Sequence, residues 1–472
     1  MTRRTLLASA ALAPARPRNI IFVLSDDHRH DFLGCAGHPW LQTPHLDRMA
    51  AEGVRFRNAF VTTSLCSPSR ASILTGLYMH AHGVRDNFQP LPPNLATFPK
   101  SLRAAGYATA FIGKWHMGDS ALEGGAADNS DMPQPGFDHW ISFRGQGEYT
   151  DPLLNINGQR RKTAGYTTDI LTEEAERFLA RKRSKPYLLY VSHKAVHAGF
   201  EPAPRHAELY TRDKVPNLVT RSAQEPEWLT RKRTQSRHGL DNLYGGEYTI
   251  ESLHRQYART LAALDDSVGR IVRAAGDDPL IIYMGDNGYL LGEHGLVDKR
   301  VMYEPSIRVP MIARCPALFN GGRGIDAMAL NLDIAPTILE AAGLRIPPSL
   351  HGRSLMPLLR AQTPEWRREF LYEYFWDWEA MHTPGIFGLR TESHSLMEYE
   401  GVWDTNELHD LRTDPAQLHN LLAGTRVDTE AGGWLRKIRD PDLRKLTLDL
   451  RRRMAHILRQ TGGERWVHGP LA

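Results

Sequence analysis

Asp26-Asp27 and Asp286-Asn287 are two acidic or amide pairs that each end an apolar run, Asn19 to Leu24 in one case and Leu280 to Met284 in the other. An unbroken apolar run of this length reads as a strand buried on both faces of a parallel sheet. In open α/β sheets, ligands sit at the carboxyl ends of the strands, so both pairs are expected to face one crevice. Three carboxylates and an amide oxygen form an all-oxygen set that suits a hard divalent cation, Ca²⁺ or Mg²⁺. Asp-Asn-Gly taken alone is also a common turn. A second chemical signal is Leu65-Cys66-Ser67-Pro68-Ser69-Arg70, followed by Ala71 to Gly76. Pro68 pre-sets a first helical turn that Ser69 to Leu74 continue, which puts Cys66 just before a helix N-terminus. Free amides there favour an anion, and Arg70 adds a charged fork for an oxyanion.

Such residues need a frame to hold them. Tyr187 to Val191 repeats the apolar-strand pattern. Thr168-Asp169 is predicted to cap a helix running to Ala180, with acidic residues early and Arg181-Lys182-Arg183 late. Leu253, Tyr257, Leu261, Leu264, Val268 and Ile271 step by three or four and mark one face of a long helix, and another helix is read over Asp333 to Ala342. Helices alternating with apolar strands predict an α/β core with a mostly parallel sheet flanked by helices. Beyond a stretch richer in proline and glycine (345–364), the aromatic run Tyr372 to Trp378 and short alternating segments near Ser395 to Trp403 predict a small antiparallel sheet, closed by a basic helix over Pro441 to Gln460. The division expected is a catalytic domain over 16–360 and a small α+β subdomain over 361–472. The basic clusters at 181–183, 231–233 and 451–453 are predicted to be solvated helix faces.

The chain of 472 residues is too long for one ordinary compact domain, and with 41% hydrophobic and 24% charged residues it is neither disordered nor a multi-span membrane protein. No stretch approaches the ~18 apolar residues of a spanning helix, so stable membrane insertion is not expected. Lys+Arg 58 against Asp+Glu 54 leaves a net charge of +4, which excludes a strongly basic nucleic-acid binder. Three cysteines, Cys35, Cys66 and Cys315, cannot build a disulfide framework. Arg3-Arg4, the apolar run Thr5 to Ala13 and Ala13-Pro14-Ala15 predict a twin-arginine export signal over 1–15, and hence a periplasmic or extracellular bacterial protein.

The segment Cys66-Ser67-Pro68-Ser69-Arg70, with Leu74-Thr75-Gly76 downstream, resembles the signature of the type I, formylglycine-dependent sulfatase family. The resemblance continues through Gly113-Lys114-Trp115-His116, Ser192 to His197 and Gly285-Asp286-Asn287-Gly288. It also covers Asp298-Lys299-Arg300 with Tyr303-Glu304 and Arg308-Val309-Pro310, in the form seen in N-acetylglucosamine-6-sulfatases, and then Glu407 to Pro415 with Asn420-Leu421. It implies an alkaline-phosphatase-like fold and hydrolysis of sulfate esters on carbohydrate, with 6-O-sulfated N-acetylglucosamine of glycosaminoglycan fragments as substrate. It implies that a maturation enzyme converts Cys66 to formylglycine, whose hydrate attacks sulfur, gives a covalent sulfate ester and is regenerated by elimination.

The ligand set implied is Asp26, Asp27, Asp286, Asn287 and the matured Cys66 around Ca²⁺, with Mg²⁺ second. Arg70 and Lys114 would stabilise the hydrate and the growing negative charge. His116 and Lys299 are candidates to act on the leaving oxygen, and His197 is the candidate base for elimination. His193 competes with His197 for that role and is otherwise expected to support the site from behind or to contact substrate. Trp378 and His382 are expected to line a sugar subsite, although packing between domains accounts for them equally. Two rival readings stand beside this one. One is a phosphodiester or phosphonate monoester hydrolase of the same superfamily; the other is a non-catalytic carbohydrate-binding protein.

Overall fold

All six residues of the Ile20–Ser25 strand are buried, and the strand lies inside a ten-stranded sheet, covered on both faces as its unbroken apolar run predicts. The computed structural model describes residues 17–118, 129–400, 402, 404–427 and 433–467, so the export segment predicted over 1–15 lies outside the described residues. Ile20–Ser25 pairs in parallel with Tyr187–Ser192 on one side and Leu280–Gly285 on the other. Ala108–Lys114 and His139–Phe143 extend the parallel run beyond Tyr187–Ser192. Antiparallel strands flank this centre, Met311–Arg314 beyond Leu280–Gly285 and Leu153–Ile156 beyond His139–Phe143.

Register decides what the centre can do. Leu24 pairs with both Ser192 and Met284, and Gly113 pairs with Ser192. Four strands therefore end level, and the segments that follow them leave the same edge.

Alternate residues of Ile20–Ser25 feed two cores. Ile20, Phe22 and Leu24 face a core that runs without a break into the C-terminal sheet through residues such as Phe370, Leu371 and Leu396. Ile21 and Val23 face the Thr167–Ala180 and Ile250–Ala275 helices. The longer helix is capped by Thr249 and Ser252, each side chain taking up the other's backbone N–H. The shorter one begins earlier than predicted, at Thr167, so Thr168 and Asp169 lie inside it and Tyr166 precedes it without a side-chain cap. Thr167 instead donates to the Glu148 carbonyl at 2.6 Å, and Asp169 pairs with Arg205.

The C-terminal sheet is four-stranded and antiparallel, formed by Glu369–Tyr374, Gly385–Thr391, His394–Glu400 and Glu407–Asp410. The Pro441–Gln460 helix, capped by Asp440, packs on it as expected. The basic clusters correct the prediction made for them. Lys232 and Arg233 are buried on Asp298 and Glu225, and Arg451 is buried on Glu398. Consecutive helical residues point about 100° apart, so a run of three charges cannot stay on one solvated face once both flanks pack. Arg181 and Lys182 remain exposed.

His80, on the short Met79–His82 helix, ties the catalytic core to the C-terminal sheet and helix. Its Nδ1 lies 2.6 Å from Glu373 Oε1 and its Nε2 3.0 Å from the Thr461 carbonyl, at the end of the C-terminal helix. Burial opposes a charged imidazole, but the Glu373 contact outweighs it and raises the His80 pKa above 6.5. A raised folded-state value stabilises the fold fully below the unfolded value and loses that increment as pH rises through the folded one. His80→Ala is expected to cost about 3 kcal/mol, the scale for breaking a buried pair, with the larger cost at acidic pH. Urea unfolding of both proteins at about pH 5.5 and about pH 9 tests this; a cost that grows with pH rejects it.

Candidate active site

Asp26 and Asp27 follow Ser25 directly, and Asp286 follows Gly285, its strand-end partner. Asp27 adopts a left-handed backbone, φ 55°, and its amide donates to Asp286 Oδ1 at 3.1 Å. This turn gathers the carboxylates: oxygens of Asp26, Asp27 and Asp286 all lie within 4.8 Å of one another. Gly288 lets the chain after the second pair pass against the Pro305 backbone, because a Cβ there would meet the Pro305 carbonyl oxygen at 2.1 Å.

Cys66 is the first residue of the Cys66–Thr75 helix rather than the residue before it, and every residue of that helix is buried. Its Sγ lies 3.5 Å from Asp26 Oδ1, 2.8 Å from Lys299 Nζ and 4.0 Å from Lys114 Nζ. One turn on, Arg70 places Nε 2.9 Å from Asp286 Oδ2, and its Nη1 donates to the Lys114 carbonyl at 2.6 Å and to Ser192 Oγ at 2.7 Å. Arg70 thus clamps three strand ends while lending its charge to the cluster. Lys114 pairs with Asp26 and donates to Gln146 Oε1 at 2.5 Å. Lys299 donates to Asp27 Oδ1 at 2.5 Å.

Three carboxylates and three cations, all buried, set one another's protonation. Burial would raise Asp26, but Lys114, Arg70 and Lys299 hold it well below the usual carboxylate range. For Asp27 burial wins over Lys299, and its pKa is raised to about 6. Burial pushes the Cys66 thiol up to about 12, so at neutral pH it is a thiol and a poor nucleophile. Burial, followed by Lys114 and Lys299, lowers His197 well below 6.5 and keeps its ring neutral. His197 Nε2 lies 4.0 Å from Asp27 Oδ2. His116, also buried, is lowered well below 6.5 by burial and then by Lys114 and Arg70.

The donors fit a hard divalent cation. Asp27 Oδ2 and Asn287 Oδ1 are buried oxygens without a hydrogen-bond partner among the described residues. Buried oxygens of this kind are costly unless something satisfies them. Asp27 belongs to the carboxylate trio, Asn287 adjoins it with its Nδ2 donating to Asp27 Oδ1 at 2.5 Å, and Asp26, Cys66 and His197 form a second group of close donors.

Cys66, Arg70, Lys114, His197, Lys299, Asp26, Asp27, Asp286 and Asn287 are thus brought together, with His116 close behind Lys114. His193 is not: it is fully buried, and its Nε2 lies 3.1 Å from Ser267 Oγ on the long helix. The expectation that it contacts substrate is corrected. Ser192 points to Arg70, and the next residue along a pleated strand points to the opposite face. His382 lines a separate cavity of about 470 Å³ with Trp228, Trp376 and Met381, and no residue of the cluster lines it. Trp378 is 41% exposed, its ring 5.0 Å from that of Phe88.

Several neighbours had no sequence signal of their own. Lys194 is buried, donates to the Gln146 carbonyl at 3.1 Å and sits 4.6 Å over the Tyr149 ring; burial lowers its pKa to about 8. Asn87 Oδ1 accepts from the amide of Ser67 at 3.2 Å, at the start of the Cys66 helix. Gln146 lies in a connection without periodicity. Lys194 stands between two histidines, and that adjacency was the one available hint.

Residues 18–344 match the family model described as Sulfatase, and residues 292–432 match the one described as N-sulphoglucosamine sulphohydrolase, C-terminal. The chain is 34% identical to an N-acetylglucosamine-6-O-sulfatase of Bacteroides thetaiotaomicron, over 86% of this chain and 82% of that protein. Its fold is similar to that of a protein solved in complex with its substrate D-glucosamine-2-N,6-O-disulfate, with TM-score 0.79, 28% identity and coverage of 95% of this chain and 98% of that one. A phosphonate monoester hydrolase of Agrobacterium radiobacter shares the fold alone, with TM-score 0.70, 23% identity and coverage of 93% and 96%. A matched family model over most of the chain, a relative above 30% identity and a cluster with the family's polar residues in contact agree: this chain belongs to the sulfatase family and is a sulfuric ester hydrolase.

Proposed function

We propose that the protein removes 6-O-sulfate from N-acetylglucosamine residues of glycosaminoglycan fragments, after oxidation of Cys66 to formylglycine and with Ca²⁺ at Asp26, Asp27, Asp286 and Asn287. The observation that carries the reading is the meeting of Cys66 with Lys299, 2.8 Å apart, beside three buried carboxylates. The N-acetylglucosamine-6-O-sulfatase relative supports the sugar and the position of the ester. Hydrated formylglycine supplies one hydroxyl to attack sulfur and a second through which sulfate is later released, which a thiol cannot. A divalent cation supplies fixed positive charge next to a sulfate oxygen.

This chain's own residues do the rest. Arg70, Lys114 and Lys299 are cations already oriented by carboxylates, so they meet the negative charge of the reacting sulfate without reorganising. Lys299 holds a proton for the leaving sugar oxygen, and His116, whose ring is neutral, polarises that oxygen rather than protonating it. His197, neutral and 16% exposed, accepts a proton at the mouth of the cluster. Residues 1–15 carry the export reading, with maturation of Cys66 by a formylglycine-generating enzyme or its equivalent in the producing cell.

A side-by-side assay is expected to give turnover of 6-O-sulfated N-acetylglucosamine, weak turnover of aryl sulfates and none of 2-O-sulfated uronides. Rim contacts with the sugar align the ester for attack, so a substrate without them should lose kcat as well as affinity. Preference for a 2-O-sulfated uronide, or for a phosphodiester or phosphonate monoester, overturns the substrate assignment.

A further inference from the structure

The loop after the Glu369–Tyr374 strand carries a carboxylate to the edge of the Cys66 cluster. Asp377 shapes it: its Oδ1 accepts from the Ala380 amide at 3.0 Å, and its Oδ2 accepts from Arg300 Nε at 3.2 Å. Glu379 projects from this turn, and its Oε2 accepts from Asn87 Nδ2 at 3.3 Å and from Arg300 Nη2 at 3.2 Å. Both donors are tethered to reacting residues. Asn87 also holds the amide of Ser67, next to Cys66, and Arg300 follows Lys299, whose Nζ contacts Cys66 Sγ.

Within this network Asp298 and Asp377 are 2% and 1% exposed, whereas the Glu379 side chain is 36% exposed. Lys232 and Arg300 supply two positive charges against the three carboxylates, so one negative charge is left over, and Glu379 is where it meets water. The bonds to Asn87 and Arg300 both use Oε2, which, among the described residues, leaves Oε1 as a pre-oriented acceptor. Trp378, exposed and backed by Phe88, offers an apolar surface beside it. An aromatic face next to a fixed carboxylate matches a sugar ring, which presents C–H groups on its face and hydroxyl donors at its edge.

We propose that Glu379 is a substrate-contacting specificity residue, its Oε1 accepting a hydrogen bond from a ring hydroxyl of the sugar whose sulfate lies at Cys66. The proposal rests on the sulfated-sugar reading above. A hydroxyl bound to a charged acceptor is worth about 10- to 150-fold in kcat/KM.

The test compares the mature enzyme with Glu379→Ala and Glu379→Gln on 6-O-sulfated N-acetylglucosamine and on 4-nitrophenyl sulfate, which has no ring hydroxyl. Glu379→Ala is expected to lower the ratio of sugar to aryl kcat/KM by about 10- to 150-fold, through kcat as well as the sugar KM. Glu379→Gln, whose amide oxygen still accepts, is expected to lose less. An unchanged ratio overturns the proposal. So does a parallel fall on both substrates, which would make Glu379 a support for the Cys66 helix through Asn87. Should Glu379→Ala not fold, the same ratio in Glu379→Gln decides. Unmutated enzyme that cleaves the aryl ester and no sugar defeats the sulfated-sugar reading itself, an outcome visible before any variant is measured.

Discussion

Cys66→Ala is expected to release no measurable sulfate from any ester while melting within a few degrees of the unmutated protein. In the reading proposed above, matured Cys66 is the nucleophile, a group that nothing else in the cluster replaces, and removing such a group costs about 10⁴-fold or more in kcat. The fold should tolerate the change. Cys66 opens a helix, alanine is the best helix former, and the contacts of Sγ to Asp26, Lys114 and Lys299 belong to the cluster rather than to the backbone of the fold. Cys66→Ser, produced in a host without serine-type maturation, is expected to be equally inactive. Sulfate release and thermal melting measure both halves. Intact-mass analysis of the unmutated active-site peptide adds an independent reading, because the aldehyde lacks the thiol's sulfur. Substantial turnover by the alanine variant would sink the formylglycine assignment, and a peptide that stays entirely thiol in active enzyme would do the same. A protein that only bound carbohydrate would give no turnover with either residue.

Removing Asp286 should abolish metal content and activity together. Its Oδ1 accepts the Asp27 amide and its Oδ2 receives Arg70, so it orders one carboxylate and anchors one cation at once. Asp286→Ala leaves Arg70 buried without its nearest counter-charge, and breaking a buried pair in this way costs about 3–5 kcal/mol. Loss of activity in that variant alone would therefore be ambiguous. Asp286→Asn separates the effects: it keeps the shape and an acceptor for the Asp27 amide but removes one negative charge from a hard-cation site. It is expected to fold, to lose bound Ca²⁺ by elemental analysis and to lose turnover. Asp26→Ala should remove metal and activity as well. Full Ca²⁺ occupancy in either the Asp286 or the Asp26 variant rejects the four-residue cage.

The sequence by itself determined the catalytic edge of the sheet. Each acidic pair is covalently next to the apolar run that buries its strand, so recognising Ile20–Ser25 and Leu280–Gly285 as parallel strands already places Asp26, Asp27, Asp286 and Asn287 at one end. The sequence set Cys66 just ahead of the helix that carries Arg70; the structure makes it that helix's first residue, four before Arg70 and so on the same face. The C-terminal sheet was legible for a similar reason, as short alternating runs closed by one amphipathic helix.

Tertiary structure decided what meets these local units across long separations. Lys299 reaches Cys66 from 233 positions away, and Asn87 reaches Glu379 across 292. Both contacts are made by loops, which have no period to reveal a face. Their direction depends on how the C-terminal sheet docks through Glu373 on Thr62 and His80. His193 and His197 show the limit at close range. Pleating turns His193 toward Ser267, and only the path of the loop beyond it returns His197 to Asp27. The charge runs at 232–233 and 451 failed as surface predictions on the same ground, because a charge is left in water or buried according to the partner that packing delivers.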